Sequence, residues 1–526
     1  MRFKPKNNNG GFPPNRPPPP NSQLLGPQVH LQTPPERLAE IGRRIASRPD
    51  PPHVVALQEC WVTADYEAIR AETRHILPYG KFYYSGPFGG GLAILSRWPL
   101  EETSMLRYPL NGRPTAFWRG DWYVGKGVAC ARIRIRLADP SSSSPSSSSS
   151  SSSSSEAGRE HILSIFNTHT HAPYTENQPG DTYLAHRLSQ SWEMSKLLRA
   201  ASERGHLALA MGDFNMRPLS LPHRIITAHA PVHDAWRTLH PDSSLGAADD
   251  PLERARGRPV PTADFNLKEN GATSDHAYNT WRWPKEQQKK LGEGRDKITV
   301  PPDTPDRKGK RLDYIFFGSA PQSRDGDGGG GGTWVVRSAR VGMVEPHPQL
   351  GCSLSDHFSV EVTLSYRQPR REPEQVGNDA LLDEASYLQG PSGNSRRDSF
   401  MSANPLVPLK ALFLPIPIYD DILSEIRHYT HREEGQRRWR AIHFLAWFAV
   451  LIACLIAVWF SPHNFISFIL MLLSSLGLVA GVVDGLMSLL FFNSELRALK
   501  EFEWEISNAR ELADVDSGEL EREKSF

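Results

Sequence analysis

Asp213 and Asn215 stand two residues apart in MGDFNMRP (211–218), directly after the apolar run Leu207, Ala208, Leu209, Ala210. Such a run reads as a buried strand whose polar end emerges from the sheet. Residues two apart on a strand share a face, so a carboxylate and an amide converge while Phe214 turns into the core. An acceptor beside a donor suits a hydrated metal and a phosphate oxygen, although Gly-Asp-x-Asn is also ordinary turn chemistry. His169 and His171 in HILSIFNTHTHAPY (161–174) repeat the spacing at another strand end, as a metal pair or as a solvent-facing pair. Further strand ends carry Glu59 (after Val54 to Leu57), Asp313 in RLDYIFF (311–317), and Asp356 with His357 in LSDHFSVEVTL (354–364). Carboxylates, an amide and histidines gathered at strand ends are the types that hold a hydrated metal beside a phosphate oxygen, and histidine titrates in the range that lets it move a proton near neutrality.

The elements that must position these groups alternate between helix and strand. Pro35 opens an amphipathic helix with Leu38, Ile41 and Ile45 at helical spacing, followed by the strand HVVALQECW (53–61). FGGGLAILSRWPL (88–100) is a glycine run, a short strand and Arg97; Gly89 to Gly91 serve as a turn or let backbone amides approach a phosphate. Lys126 in GKGV precedes a strand with alternating Arg132, Arg134 and Arg136, which read as solvent-facing or as contacts to a lipid surface. Asp181 to Leu198 predicts a helix with Leu184, Leu188, Trp192 and Leu197 on its inner side. His276 and His357 both stand in SDH triplets, but only His357 follows LDY and precedes an alternating strand.

Low-complexity stretches divide the chain. Residues 1–35 read as a disordered Pro-rich arm, 141–155 as a poly-Ser insertion in a hairpin, 241–310 as an irregular insertion, and 367–436 as a linker and juxtamembrane segment. With 526 residues, one large domain (36–366) with appendages is expected. Lys+Arg 60 against Asp+Glu 59 provides no basic field and weighs against nucleic acid as a partner. The four cysteines form no CxxC pair, which favours reduced thiols.

Residues 437–492 carry two apolar runs, about 441–460 and 465–487, separated by a short break with Pro462. Twenty residues at helical rise cover a hydrocarbon core of roughly 30 Å. Arg437, Arg438 and Arg440 precede the runs and Arg497 and Lys500 follow them. The positive-inside bias therefore places the catalytic domain and the tail (493–526) in the cytosol, with two membrane helices between them. Asp484 belongs near the interface, since mid-bilayer it would cost on the order of 3 kcal/mol. The arginine cluster suggests attraction to an anionic phospholipid as activator, and the hairpin offers a surface for self-association.

The motifs QE (58–59), NTHTH (167–171), GDFN (212–215), LDY (312–314) and SDH (355–357) stand in one order. Together they resemble the endonuclease/exonuclease/phosphatase superfamily. FGGGLAILSRWPL, GKGV, NTHTHAPY, NTWRWP and the hydrophobic hairpin are similar to neutral sphingomyelinases and fungal inositol phosphosphingolipid phospholipases C. The resemblance implies a four-layer α/β sandwich, two packed β-sheets flanked by helices, followed by the membrane hairpin. It implies a Mg²⁺-dependent phosphodiesterase, with Mn²⁺ as a substitute, that releases ceramide from a sphingolipid in a bilayer. The endoplasmic reticulum or a mitochondria-associated membrane would be its location. Glu59 and Asp356 would serve the metal, Asp213 the attacking water, and Asn215 a phosphoryl oxygen. His357 would be the base oriented by Asp313, and His169 would steady the transition state. Asn167, His171, Lys126 and Arg97 are further candidates for phosphate or substrate contacts. One departure stands out: the family opens with an apolar strand ending in a metal-binding Asn, and QLLGPQVHL (23–31) matches neither. A nuclease or phosphoinositide phosphatase with the same chemistry is one alternative, and the missing strand opens another, a catalytically inactive membrane-tethered homologue.

Overall fold

The computed structural model describes residues 35–116, 119–137, 159–174, 181, 183–292, 298–318, 332–367 and 413–524. The Pro-rich arm, the poly-Ser insertion and the first part of the expected linker lie outside the described residues.

A six-stranded sheet forms one inner layer, in the order β4 (Leu100–Arg107), β5 (Gly127–Leu137), β6 (Arg159–His169), β7 (Leu207–Asp213), β9 (Asp313–Gly318), β8 (His233–Asp234). The facing layer comes in two pieces. One is β1 (Val54–Leu57), β3 (Leu92–Ser96) and β2 (Tyr79–Tyr83); the other is the hairpin β10 (Thr333–Gly342) and β11 (Ser359–Arg367). Both pieces share one core with the large sheet: Leu92 and Ile94 meet Ala131, Ile133 and Ile165, while Val336 and Leu364 pack beside them. Helices α1 (Pro35–Ala46) and α2 (Thr63–Thr73) cover the smaller layer through Ile45, Tyr66 and Ile69. Helices α4 (Leu184–Glu203) and α5 (Leu221–His229) cover the large sheet through Met194, Leu198 and Ile226. The result is the four-layer α/β sandwich. A short α3 (Asp121–Val124) precedes β5.

The region expected as an irregular insertion (241–310) is ordered in its described residues. After α6 (Ala235–Leu239) it folds into α7 (Pro251–Ala255), α8 (Ala263–Lys268), a 3₁₀ turn at Thr280–Arg282 and α9 (Lys285–Gln288). Charge and proline hid these elements because each is too short to show a period.

A larger correction concerns the C-terminus. The expected linker becomes helix from Ile416 onward, and α10 (Ile416–Trp459) runs without a break for 44 residues. Then follow α11 (Asn464–Leu486), a π-helical turn (Met487–Phe491) and α12 (Phe492–Lys524). The first half of α10 and the body of α12 lie on α4, where Ile418, Ile422, Ile426, Leu499, Phe502 and Ile506 close over Leu188 and Trp192. Helix α4 is thus buried on two sides. Leu188 and Trp192, expected to face the sheet, face the C-terminal helices instead.

Beyond this junction, the upper part of α10 and α11 are long, apolar and exposed, with 6% and 11% of their most apolar windows buried. By length and composition these two helices could cross a membrane. Trp447 lies in a groove over Gly477 and Gly481, where an added Cβ would collide with its ring at Gly477 and with its Cβ at Gly481. Asp484 pairs with Arg440 and lies 2.6 Å from His443 Nδ1, so its charge is partnered at the foot of the hairpin.

Candidate active site

Strand register brings the chemical groups together. Parallel pairing of β6 and β7 sets His169 beside Asp213, and antiparallel pairing of β7 and β9 sets Asp213 beside Asp313. Directly paired residues point to the same face, so the three side chains form a row at one end of the sheet. Gly212 permits this closeness. Its φ is +142°, and a Cβ there would lie 1.9 Å from the Thr168 carbonyl oxygen. His357 comes from the loop before β11, bridged to Ser274. Glu59 comes from the facing layer just past β1, in the left-handed region at φ 58°. Gly91, also left-handed at φ +67°, leaves room for the Glu59 backbone.

His357 Nδ1 lies 2.9 Å from Asp313 Oδ2 and 4.0 Å from Asp213 Oδ2. Burial disfavours its charged form, yet the carboxylates of Asp313, Asp213 and Asp356 outweigh that and hold the imidazole well above its ordinary value. Asp313 is itself fixed by Thr273, whose hydroxyl donates to Oδ2 at 2.6 Å. Asp213 accepts from the Asn215 backbone at 2.8 Å and from its amide at 3.2 Å. Burial pushes the Asp213 carboxyl up to about 7, His357 opposing and Asp313 adding to the shift. His169 Nε2 stands 3.6 Å from Asp213 and 3.9 Å from Glu59. Burial, then Lys126, hold His169 far below 6.5, so it is neutral at pH 7.

Lys126 is 3% exposed; it donates to the Thr170 carbonyl at 2.8 Å and pairs with Asp121 at the same distance. It therefore adds positive charge behind His169 without touching solvent. Asp356 is exposed, its backbone carbonyl held by the Asn279 amide at 2.8 Å.

Hard divalent cations take oxygen ligands. Burial, then the nearby charge of Asp356, raises the Glu59 carboxyl, although 54% of that side chain is open to solvent and water moderates the effect. Two carboxylates that repel each other at the mouth of a cleft fit a cation between them. Asp213, Asp313 and His357 also bring ligand atoms within 4.8 Å of one another, but the hydrogen bond between His357 and Asp313 reads as a base and its orienting acid.

Three candidate residues sit elsewhere. Asn167 is fully buried; its amide donates to the Leu57 and Ala93 carbonyls, both at 2.9 Å, and accepts from Gln58 at 2.6 Å. It clamps the two layers and has no atom left for a phosphate. His171 is turned away, stacked on Tyr183 with centroids 4.5 Å apart, and burial pushes it down to about 3. Arg97 lies at the wrong end of β3: Gly91 abuts Glu59, and six residues of strand cover about 20 Å. The rival histidine, His276, is fully buried and faces the Ala263 carbonyl at 2.9 Å, as part of the scaffold. Thr273 and Asp121 escaped sequence reasoning because each works only through a partner distant in the chain. The TSDHAYNTWR stretch that holds Thr273 was the one visible trace of the former.

Comparison with known proteins gives the family of the chain. Residues 21–357 match the Endonuclease/Exonuclease/phosphatase family. Inositol phosphosphingolipids phospholipase C of Schizosaccharomyces pombe is 35% identical over 480 residues, covering 91% of this chain and 90% of its own. The Saccharomyces cerevisiae protein of the same name is 30% identical and covers 87% and 78%. Mouse sphingomyelin phosphodiesterase 2 is 29% identical over 34% of this chain and 37% of its own. The chain belongs to the Endonuclease/Exonuclease/phosphatase family and, within it, to the group of neutral sphingomyelinases and fungal inositol phosphosphingolipid phospholipases C.

Proposed function

We propose that this phosphodiesterase hydrolyses inositol phosphosphingolipid in a membrane, releasing ceramide and the phosphorylated head group, with Mg²⁺ as its ion. The observation that carries the reading is the His357–Asp313 pair, 2.9 Å apart, facing Asp213, Asn215, His169 and Glu59 across the ends of two sheets. The head-group preference is supported by extent: likeness to the inositol phosphosphingolipid enzyme spans 91% of the chain, catalytic sandwich and C-terminal helices together, against 34% for a sphingomyelin enzyme.

In this reading His357 donates through Nδ1 to Asp313, which leaves Nε2 to take a proton from the attacking water. Asp213 accepts from that water and aligns it, neutral His169 donates to a phosphoryl oxygen, and the Asn215 amide, which donates to Asp213 and to the Thr170 carbonyl in the free chain, would turn one N–H to a phosphoryl oxygen when substrate binds. Lys126 stabilises the negative charge from behind. Glu59 and Asp356 would hold the magnesium ion, which when bound would neutralise charge on the phosphoryl group and lower the proton affinity of His357; as the bond from phosphorus to the ceramide oxygen breaks, that oxygen takes up a proton, balancing the one His357 removed from water. The test is turnover of the full chain in mixed micelles with Mg²⁺ or EDTA, offering inositol phosphosphingolipid and sphingomyelin side by side. Metal-dependent ceramide release with preference for the inositol lipid is expected. Faster cleavage of sphingomyelin would overturn the head-group assignment, and silence on both lipids would overturn the reaction.

A further inference from the structure

Outside the C-terminal helices, the most exposed large apolar side chain among the described residues is Tyr84, at 74%. Phe88 (53%) and Val62 (55%) are exposed beside it. These three do not scatter. The turn joining β2 to β3 carries Tyr84 and Phe88, and its Gly89 faces the Trp61 carbonyl, next to Val62. Tyr84 stands edge-on to Phe82 at 5.1 Å, which fixes its ring while leaving it in solvent. The turn itself is held: Ser85 donates to the Gly125 carbonyl at 2.5 Å, and Gly91 abuts the Glu59 backbone.

From this turn a line of rings leads to the hairpin. Phe88 meets Tyr123 at 6.2 Å, Tyr123 meets Trp122 at 4.8 Å, and Trp122 meets Phe491 at 4.8 Å. Phe491 ends the π-helical turn that follows α11, about two helical turns beyond Asp484, which with Arg440 marks the foot of the hairpin. The exposed rings are therefore continuous with the apolar surface that could cross a bilayer, and their inner edge is the carboxylate proposed to hold the metal.

We propose that Val62, Tyr84, Phe88 and Tyr123 form a lip that enters the headgroup layer of the bilayer holding the hairpin, and receives the apolar part of a lipid substrate beside Glu59. The inference rests on the lipid reading of the site. Tyrosine rings with an apolar body and a polar tip settle at the membrane interface. A two-chain lipid cannot be drawn wholly into water, because every exposed methylene opposes it, so the site has to descend to the phosphodiester. The hairpin makes insertion of the lip an intramolecular event, with a high effective concentration.

The test uses the full chain reconstituted in phosphatidylcholine vesicles containing inositol phosphosphingolipid. An environment-sensitive fluorophore at Tyr84→Cys should be quenched by shallow nitroxide lipids at least twofold more than the identically labelled parent chain. Absence of that excess, or quenching that depends on protein density through contact with a second copy, would overturn the lip. In a second arm, Tyr84→Ser with Phe88→Asp should raise the vesicle KM at least tenfold while turnover of bis(p-nitrophenyl) phosphate stays within twofold. Equal loss on both substrates would show a structural role and refute the proposal. If no sphingolipid is cleaved and position 84 is still quenched, the substrate reading fails while membrane docking of this surface stands.

Discussion

Replacing Asp313 by Asn tests the centre of the mechanism with almost no change of shape. One oxygen of Asp313 accepts two hydrogen bonds, from Thr273 at 2.6 Å and from His357 at 2.9 Å. In the variant either the amide oxygen occupies that position, so both bonds persist without charge assistance, or the amide nitrogen does, and two donors face it. The first case removes about 1–2 kcal/mol from the imidazolium formed in the transition state, roughly 5- to 30-fold in kcat. The second turns the imidazole to the other tautomer, with Nε2 protonated and unable to act as a base, and losses then reach about 10⁴-fold. The expected fall in kcat for ceramide release at saturating Mg²⁺ therefore lies between about 5-fold and about 10⁴-fold, with KM little changed. Because Asp313 is the leading cause that raises His357, the acid limb of the pH profile should also move to lower pH. A variant with kcat within threefold of the parent, or an acid limb that does not move, would refute the assignment of base and orienting acid.

Other substitutions probe the scaffold. Asn167→Ala should destabilise the sandwich by about 3 kcal/mol or more, since it strands the Leu57 and Ala93 carbonyls in the core, and a thermal melt in detergent reads this directly. Arg97→Ala should leave kcat and KM within twofold, as expected for a side chain at the far end of β3; a larger loss in a turnover assay would return it to the site. Burial pushes the Glu433 and Glu495 carboxyls at the helix junction up from 4.5 to about 7. The folded form therefore binds protons more tightly than the unfolded chain, so this stability is full below pH 4.5, declines as pH rises toward about 7, and is constant above. Melting temperature followed across that window should fall less in Glu433→Gln/Glu495→Gln than in the parent, and equal slopes would contradict the assignment.

Strand-end chemistry was legible because it follows from local rules: an apolar run ended by a polar residue locates Glu59, His169, Asp213 and Asp313, and the pairing of β6, β7 and β9 then aligns the last three. What the period of a strand does not reveal is depth along it. Asn167 shares the face of His169, two residues closer to the core, and that offset turns a candidate ligand into a clamp. Arg97 was misplaced for the complementary reason, since a motif read as one unit spans both ends of a strand. Docking of the C-terminal helices was readable in part. Ile418, Ile422, Ile426 and Tyr429 recur at helical spacing, and the proline and charge around them masked it. The matching second apolar side of α4 blurred its own period, because a helix buried on two faces has little amphipathicity to display.

The unbroken α10 has a consequence for how the enzyme would meet its substrate. Forty-four residues of helix reach about 66 Å, with the lower half cemented to α4 and the upper half continuing into the hairpin. Such a strut lets the head neither swing nor tumble, so it stands at a set height above the one leaflet in which the hairpin is rooted. Lipids in an apposed membrane lie out of reach, and encounters become a search in two dimensions. Velocity should then follow the mole fraction of sphingolipid in the surface, and be indifferent to how much membrane the cell holds.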